Sequence, residues 1–278
     1  MDSIGRQWRA QRITMTKSVV PKLGVVRSAW RVARDIRQDF LRGRLYRQFM
    51  GMNDLVFDIG ANAGNRTKVF AQLSKQVIAV EPQPSCVKSL QAQFSANPKI
   101  RVVPKALGAR EGSAEIMISN ATVISSLSPA WVQAVRESGR FSQFTWAGKG
   151  TVEVTTLDSL IEEFGSPGFI KIDVEGYEFE VLSGLSRPVR ALSFEFVPEY
   201  LAAAFQCIER LCSLGNTEFN YSLGESMKLA LRSWVPRDQI TSALLKYTGD
   251  NHVFGDVYAR STTRDLSSHS MKQRALTK

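Results

Sequence analysis

Apolar residues along the chain fall into short continuous runs separated by stretches of helical period. The runs at 55–59, 77–81, 100–104, 168–173 and 191–196 predict strands. Apolar positions recurring every three or four residues over 64–73, 84–95, 156–164, 176–183 and 199–214 predict helices. Strands alternating with helices build a parallel sheet covered on both faces, a doubly wound α/β domain. Two more strands, 218–222 and 253–259, are expected to complete that sheet, with 114–118 and 151–155 as an added hairpin beside the third strand. Residues 119–150 and 223–252 are too long for plain connections and read as insertions at the sheet edge where the parallel strands end. The domain is therefore expected to run from 51 to 260, followed by a polar, Ser/Thr-rich, disordered tail at 261–278.

Charge sets the first fifty residues apart. They carry ten Arg and two Lys against Asp2, Asp35 and Asp39, nine of the chain's ten net positive charges. Val26, Trp30, Ala33, Ile36 and Phe40 follow a helical period, and Arg27, Arg31, Arg34 and Arg37 follow it on an adjacent face. This is a basic amphipathic arm. Packing one face on the domain is the favoured reading; peripheral contact with an anionic membrane and an organellar transit segment are alternatives. No run of eighteen apolar residues exists, and charges stand where a secretory apolar region belongs, so a cytoplasmic protein is expected. Cys86, Cys207 and Cys212 lack C-x-x-C spacing and read as reduced packing residues. Oligomeric state is not legible.

The chemistry begins at Leu55-Val-Phe-Asp-Ile-Gly-Ala-Asn-Ala-Gly64, where an apolar strand enters a glycine-spaced turn ahead of a helix. A second strand ends at Glu81, where a carboxylate can hydrogen-bond both ribose hydroxyls of an adenosine cofactor. Asp58, Gly60 and Gly64 lack the third glycine that brings a helix N-terminus onto a pyrophosphate, which disfavours a dinucleotide. The turn suits S-adenosyl-L-methionine, with its cationic end near Asp58 and its adenosine over the glycines. Ligands of doubly wound sheets sit beyond the carboxyl ends of the strands. Pro82, Ala106 and Leu107 stand at the second and third tips. The fourth tip, Ile170-Lys-Ile-Asp-Val-Glu-Gly-Tyr-Glu178, presents Asp173 and Glu175. Asp173 is expected to touch ligand; Glu175 and Glu178 also suit a helix N-terminus.

These residues resemble the FkbM-type methyltransferases, a branch of the class I S-adenosylmethionine-dependent enzymes. The resemblance rests on Val56-Phe-Asp-Ile-Gly-Ala-Asn-Ala-Gly64, Ala79-Val-Glu-Pro82, Ser125-Ser-Leu127, Thr155-Thr-Leu-Asp158, Ile170-Lys-Ile-Asp-Val-Glu-Gly176, Ser193-Phe-Glu-Phe196 and Gly255-Asp-Val-Tyr-Ala259. It implies a Rossmann-like, seven-stranded sheet with an antiparallel last strand, cofactor contacts from Asp58, Gly60, Gly64 and Glu81, and methyl transfer to a hydroxyl oxygen. Asn62 holds the middle glycine position of the commoner methyltransferase turn, as this family does, and Asn tolerates left-handed backbone.

Methyl transfer to a hydroxyl needs in-line approach and loss of the acceptor's proton. Candidate bases are Asp173, Glu175, Glu195 and His252, the last placed at the site's mouth if the antiparallel strand starts at Val253. Asp173, Glu175 and Glu195 could also ligate a divalent ion, but no metal is expected. Ser125, Ser126 and Glu195, with the aromatics Trp131, Phe141, Phe144 and Trp146, are candidates for holding a small-molecule or glycan acceptor. Nucleic acid is disfavoured as acceptor: Asp173-Val-Glu-Gly stands where an amino-methylating enzyme has Asn/Asp-Pro-Pro-Tyr/Phe, and no Cys follows a Pro. The rivals are a nucleotide-dependent oxidoreductase and a noncatalytic membrane-surface module.

Overall fold

The computed structural model describes residues 22–262, with side chains described from residue 33. The elements, in chain order, are α1 (Lys22–Tyr46), β1 (Leu55–Ile59), α2 (Thr67–Leu73), β2 (Gln76–Val80), α3 (Pro84–Phe94), β3 (Ile100–Val103), β4 (Ala106–Leu107) and β5 (Gly112–Ile118). Then come α4 (Pro129–Glu137), β6 (Gly148–Thr155), α5 (Leu157–Phe164), β7 (Phe169–Ile172), α6 (Glu178–Ser183), β8 (Ala191–Phe196), α7 (Leu201–Leu214), β9 (Thr217–Leu223), α8 (Arg237–Leu245) and β10 (Gly255–Ser261).

Seven strands form one sheet in the order β3-β2-β1-β7-β8-β10-β9, parallel except for β10, which runs antiparallel to both neighbours. The apolar runs are continuous because successive side chains point to opposite faces and both faces are buried. Phe57 and Ile170 enter one core with α5, α6, α7 and α8, while their neighbours Val56 and Phe169 enter the other with α2 and the end of α1. Strand order reverses between β1 and β7, leaving a crevice beyond their carboxyl ends.

Three expectations are corrected. The pieces at 114–118 and 151–155 do pair antiparallel, as β5 and β6, but they join β4 in a separate three-stranded sheet instead of flanking β3. The compact body begins at Asp39, not at 51. Leu45, Tyr46, Phe49 and Met50 are buried, and Phe49 stacks on Phe169 and Tyr258. The tail is set one residue early: Ser261 still belongs to β10, and Thr262 donates its N–H to Asn216 O, while 263–278 lie outside the described residues. Within 22–38, described by itself, the chain is helical; Val26, Arg27, Trp30 and Arg31 of the expected amphipathic pattern lie where side chains are not described. No helix among the described residues is long and apolar enough to cross a membrane.

Candidate active site

A cavity of about 380 Å³ opens at the reversal point, lined from the tips of β1, β2, β7 and β8, the start of β10 and the 119–150 insertion. Its corner at the glycine turn is built by close backbone approach. Gly60 has φ +81°, and a Cβ there would lie 1.8 Å from Asp173 O, so only glycine lets the β1 and β7 tips meet. Gly64, φ +74°, lets Phe94 of α3 come where a Cβ would sit, 2.6 Å from its ring. Asn62 is left-handed, φ 45°, as its type allows. Its N–H donates to Glu81 Oε2 at 2.9 Å, and Gln83 N donates to Glu81 Oε1 at 2.8 Å. Glu81 therefore ties the turn together as well as facing the cavity, and its burial raises its pKa. Asp58 accepts from Thr67 Oγ1 at 2.5 Å, and burial pushes its pKa to about 6. Pro82, Ala106 and Leu107 line the same corner.

The wall built from the tips of β7 and β8 is acidic. Asp173, Glu175 and Glu195 each bring a carboxylate oxygen within 4.8 Å of the others. Such a group can share protons or hold a divalent cation. Behind it, fully buried Lys171 reaches Asp173 Oδ2 at 3.1 Å and Asp256 Oδ1 at 2.9 Å. Burial works against ionisation of Asp173, but the Lys171 ammonium and the Arg66 guanidinium together outweigh it and the pKa is lowered. Among the described residues no cation pairs directly with Glu175 or Glu195; burial first and neighbouring carboxylates second hold their pKa values well above the ordinary. Glu178 does cap the loop: Oε1 accepts from Val174 N and Gly176 N, each at 3.2 Å, and burial raises its pKa to about 7. Glu175 is not used that way. It sits at φ 55° with its side chain on the cavity wall.

Two candidates fall elsewhere. His252 is exposed and does not line the cavity, because β10 starts at Gly255 and not at Val253; its backbone N–H donates to Asp250 Oδ1 at 3.0 Å. Ser126 is wholly buried and donates to Glu175 O at 2.6 Å, so it holds the carboxylate loop and does not face an acceptor. Ser125 lines the cavity and accepts from Ser119 N at 3.1 Å. Trp131, Phe141, Phe144 and Trp146 pack on one another, with Trp131 against Gly176, and none lines the cavity. Sequence reasoning missed Lys171, Asp256, Arg66, Glu225 and Phe254. Lysine inside the apolar run Phe169–Ile172 was a signal, since a cation there needs an anion close by. Arg66 Nη2 meets Glu225 Oε1 at 2.9 Å, and Arg42 Nη2 meets Glu225 Oε2 at 3.0 Å.

Residues 58–236 match the model of the methyltransferase FkbM domain. The chain belongs to the FkbM methyltransferase family. It is similar to the hexuronic acid methyltransferase AglP of Haloferax volcanii, 29% identical over 176 residues, which covers 62% of this chain and 66% of that one. The match thus spans just under two thirds of that relative's length. Among solved structures, methyltransferase FkbM from Methylobacillus flagellatus KT aligns with a TM-score of 0.43 at 17% identity, covering 74% of this chain and 43% of that one. An O-methyltransferase from Bacillus cereus aligns with a TM-score of 0.41 at 11% identity, covering 88% and 93%.

Proposed function

We propose that the chain is an S-adenosyl-L-methionine-dependent O-methyltransferase acting on a hydroxyl of a small molecule or glycan. One observation carries this: the glycine turn with Asp58 and Glu81, and the acidic group of Asp173, Glu175 and Glu195, line a single cavity of about 380 Å³. That volume lies in the range of small-molecule sites, and the buried carboxylates of Asp58 and Glu81 give the polar anchors such a site needs. Asp58, Gly60, Asn62, Gly64 and Glu81 would hold the cofactor, with Pro82, Ala106 and Leu107 beside its base. When bound, S-adenosylmethionine supplies an electrophilic methyl, so that an acceptor oxygen gains a C–O bond as the S–C bond breaks and the hydroxyl proton passes to a protein carboxylate.

Asp173, whose ionised form Lys171 and Arg66 favour, orients the acceptor hydroxyl by accepting its hydrogen bond. Glu195, in the shared group with Glu175, takes the proton; its raised pKa makes its ionised form a stronger base than an ordinary carboxylate. The relative's hexuronic acid supports a glycan acceptor.

The test is calorimetric titration with S-adenosylhomocysteine and, separately, NADH. Wild type should bind S-adenosylhomocysteine and not NADH. Glu81→Gln, which keeps one acceptor oxygen for the turn's N–H groups, should bind about tenfold or more weakly. Binding of NADH alone moves the assignment to redox chemistry, and binding of neither leaves the noncatalytic reading.

A further inference from the structure

Beyond the nucleotide corner the cavity continues to Glu195, to Gly224 and Glu225 after β9, and to Phe254, Gly255 and Asp256 at the start of β10. Phe254 is an apolar ring 38% exposed on this wall. Its backbone is fixed from both sides. Gly224, φ +48°, donates its N–H to Phe254 O at 2.8 Å, and a Cβ there would come 3.6 Å from the ring. Gly255 has no room for a side chain, since a Cβ would stand 2.1 Å from Ser222 O. A partly exposed aromatic held this firmly is a flat surface offered to a ligand at little entropic cost.

The same cavity is lined by Glu195, Glu225, Asp256 and Asp173, groups that accept hydrogen bonds from hydroxyls. Lys171, behind the wall, pairs with Asp173 and Asp256, and Arg66 pairs with Glu225 through Nη2 while its Nε is buried without a partner among the described residues. Lys105 lines the cavity beside Ala106, on the nucleotide side, and pairs with Glu153 at 3.6 Å. Seven acidic side chains (Asp58, Glu81, Asp173, Glu175, Glu195, Glu225, Asp256) line the cavity against two basic ones, Arg66 and Lys105, a balance that disfavours a further carboxylate.

We propose that Phe254 is the platform of an acceptor subsite for a neutral sugar ring, whose hydroxyls bond to Glu195, Asp173 and Asp256, and that the subsite discriminates against a hexuronic acid. This rests on the methyltransferase reading and departs from the acceptor in AglP's name.

The test measures binding of a neutral hexose disaccharide and of its hexuronic acid counterpart to the full chain saturated with S-adenosylhomocysteine. The neutral sugar should bind about tenfold more tightly than the acid. Phe254→Ala should weaken the neutral sugar about fivefold, the scale of one aromatic contact, while Phe254→Trp retains it and neither variant changes S-adenosylhomocysteine affinity. Equal or tighter binding of the hexuronic acid, an unchanged Phe254→Ala, or no binding of either sugar by a chain that still binds S-adenosylhomocysteine overturns the proposal. Failure of wild type to bind S-adenosylhomocysteine overturns the methyltransferase reading and this proposal with it.

Discussion

At Glu178, Asp173 and Glu195 one functional group, the carboxyl, does three things, because each sits against a different neighbour. Glu178 is 4% exposed and bonded only by neutral backbone N–H groups, so its pKa rises from 4.5 to about 7. Folded and unfolded pKa values in that order mean the protonated form is favoured by folding: its contribution is complete below pH 4.5 and is lost as pH rises through 7. Thermal stability should therefore increase as pH falls from 8 towards 5, and Glu178→Gln, which keeps the accepting oxygen, should flatten that slope by up to about 3 kcal/mol at pH 8. Scanning calorimetry across that range checks it; an unchanged slope assigns the pH dependence to other groups. In the proposed reaction Glu195 acts in its ionised form, so the acid limb of kcat/KM should lie well above pH 4.5. Glu195→Gln should cost about a hundredfold in kcat and remove the limb, with EDTA present throughout since no metal is assigned. A rate that falls under EDTA alone would give the acidic group to a cation instead.

Elements carry these side chains to their places, and the 119–150 insertion does so without touching the cavity through its aromatics. Trp131 lies on Gly176, where φ is +88° and a Cβ would stand 2.2 Å from the indole. Ser126 reaches from the same insertion to Glu175 O. Together they hold Glu175 in left-handed backbone, a conformation that costs energy for a residue with a Cβ. Ser126→Ala should lower stability by about 1 kcal/mol, the value of one hydrogen bond. It should also lower kcat several-fold while leaving S-adenosylhomocysteine affinity alone, because the nucleotide corner makes no contact with Ser126. Equal losses in affinity and turnover would mean that the whole crevice depends on this contact.

For the molecule as a whole, the sequence made one half of the site legible and hid the other. Asp58, Gly60, Asn62, Gly64 and Glu81 lie on one βα unit and the strand after it, so spacing alone describes their geometry. Asp173 was readable because a strand ends there. Lys171 reaches Asp256, and Asp256, Glu225 and Phe254 share one cavity, because β10 inserts between β8 and β9, a pairing that depends on register across distant segments. His252 was misplaced for the same reason, by two residues of strand start. The cavity consequently joins walls from both halves of the sheet, and a ligand filling it must stabilise contacts between them. Ligand that binds only the folded state at a hundred times its Kd adds about 2.7 kcal/mol, which for a body of this size is a rise of about 5–10 °C in Tm. S-adenosylhomocysteine should produce that rise in wild type, NADH should not, and Phe254→Ala should show the same rise as wild type, since Phe254 lies away from the nucleotide corner. A Tm that responds equally to both nucleotides would show a crevice without the selectivity that the missing third glycine implies.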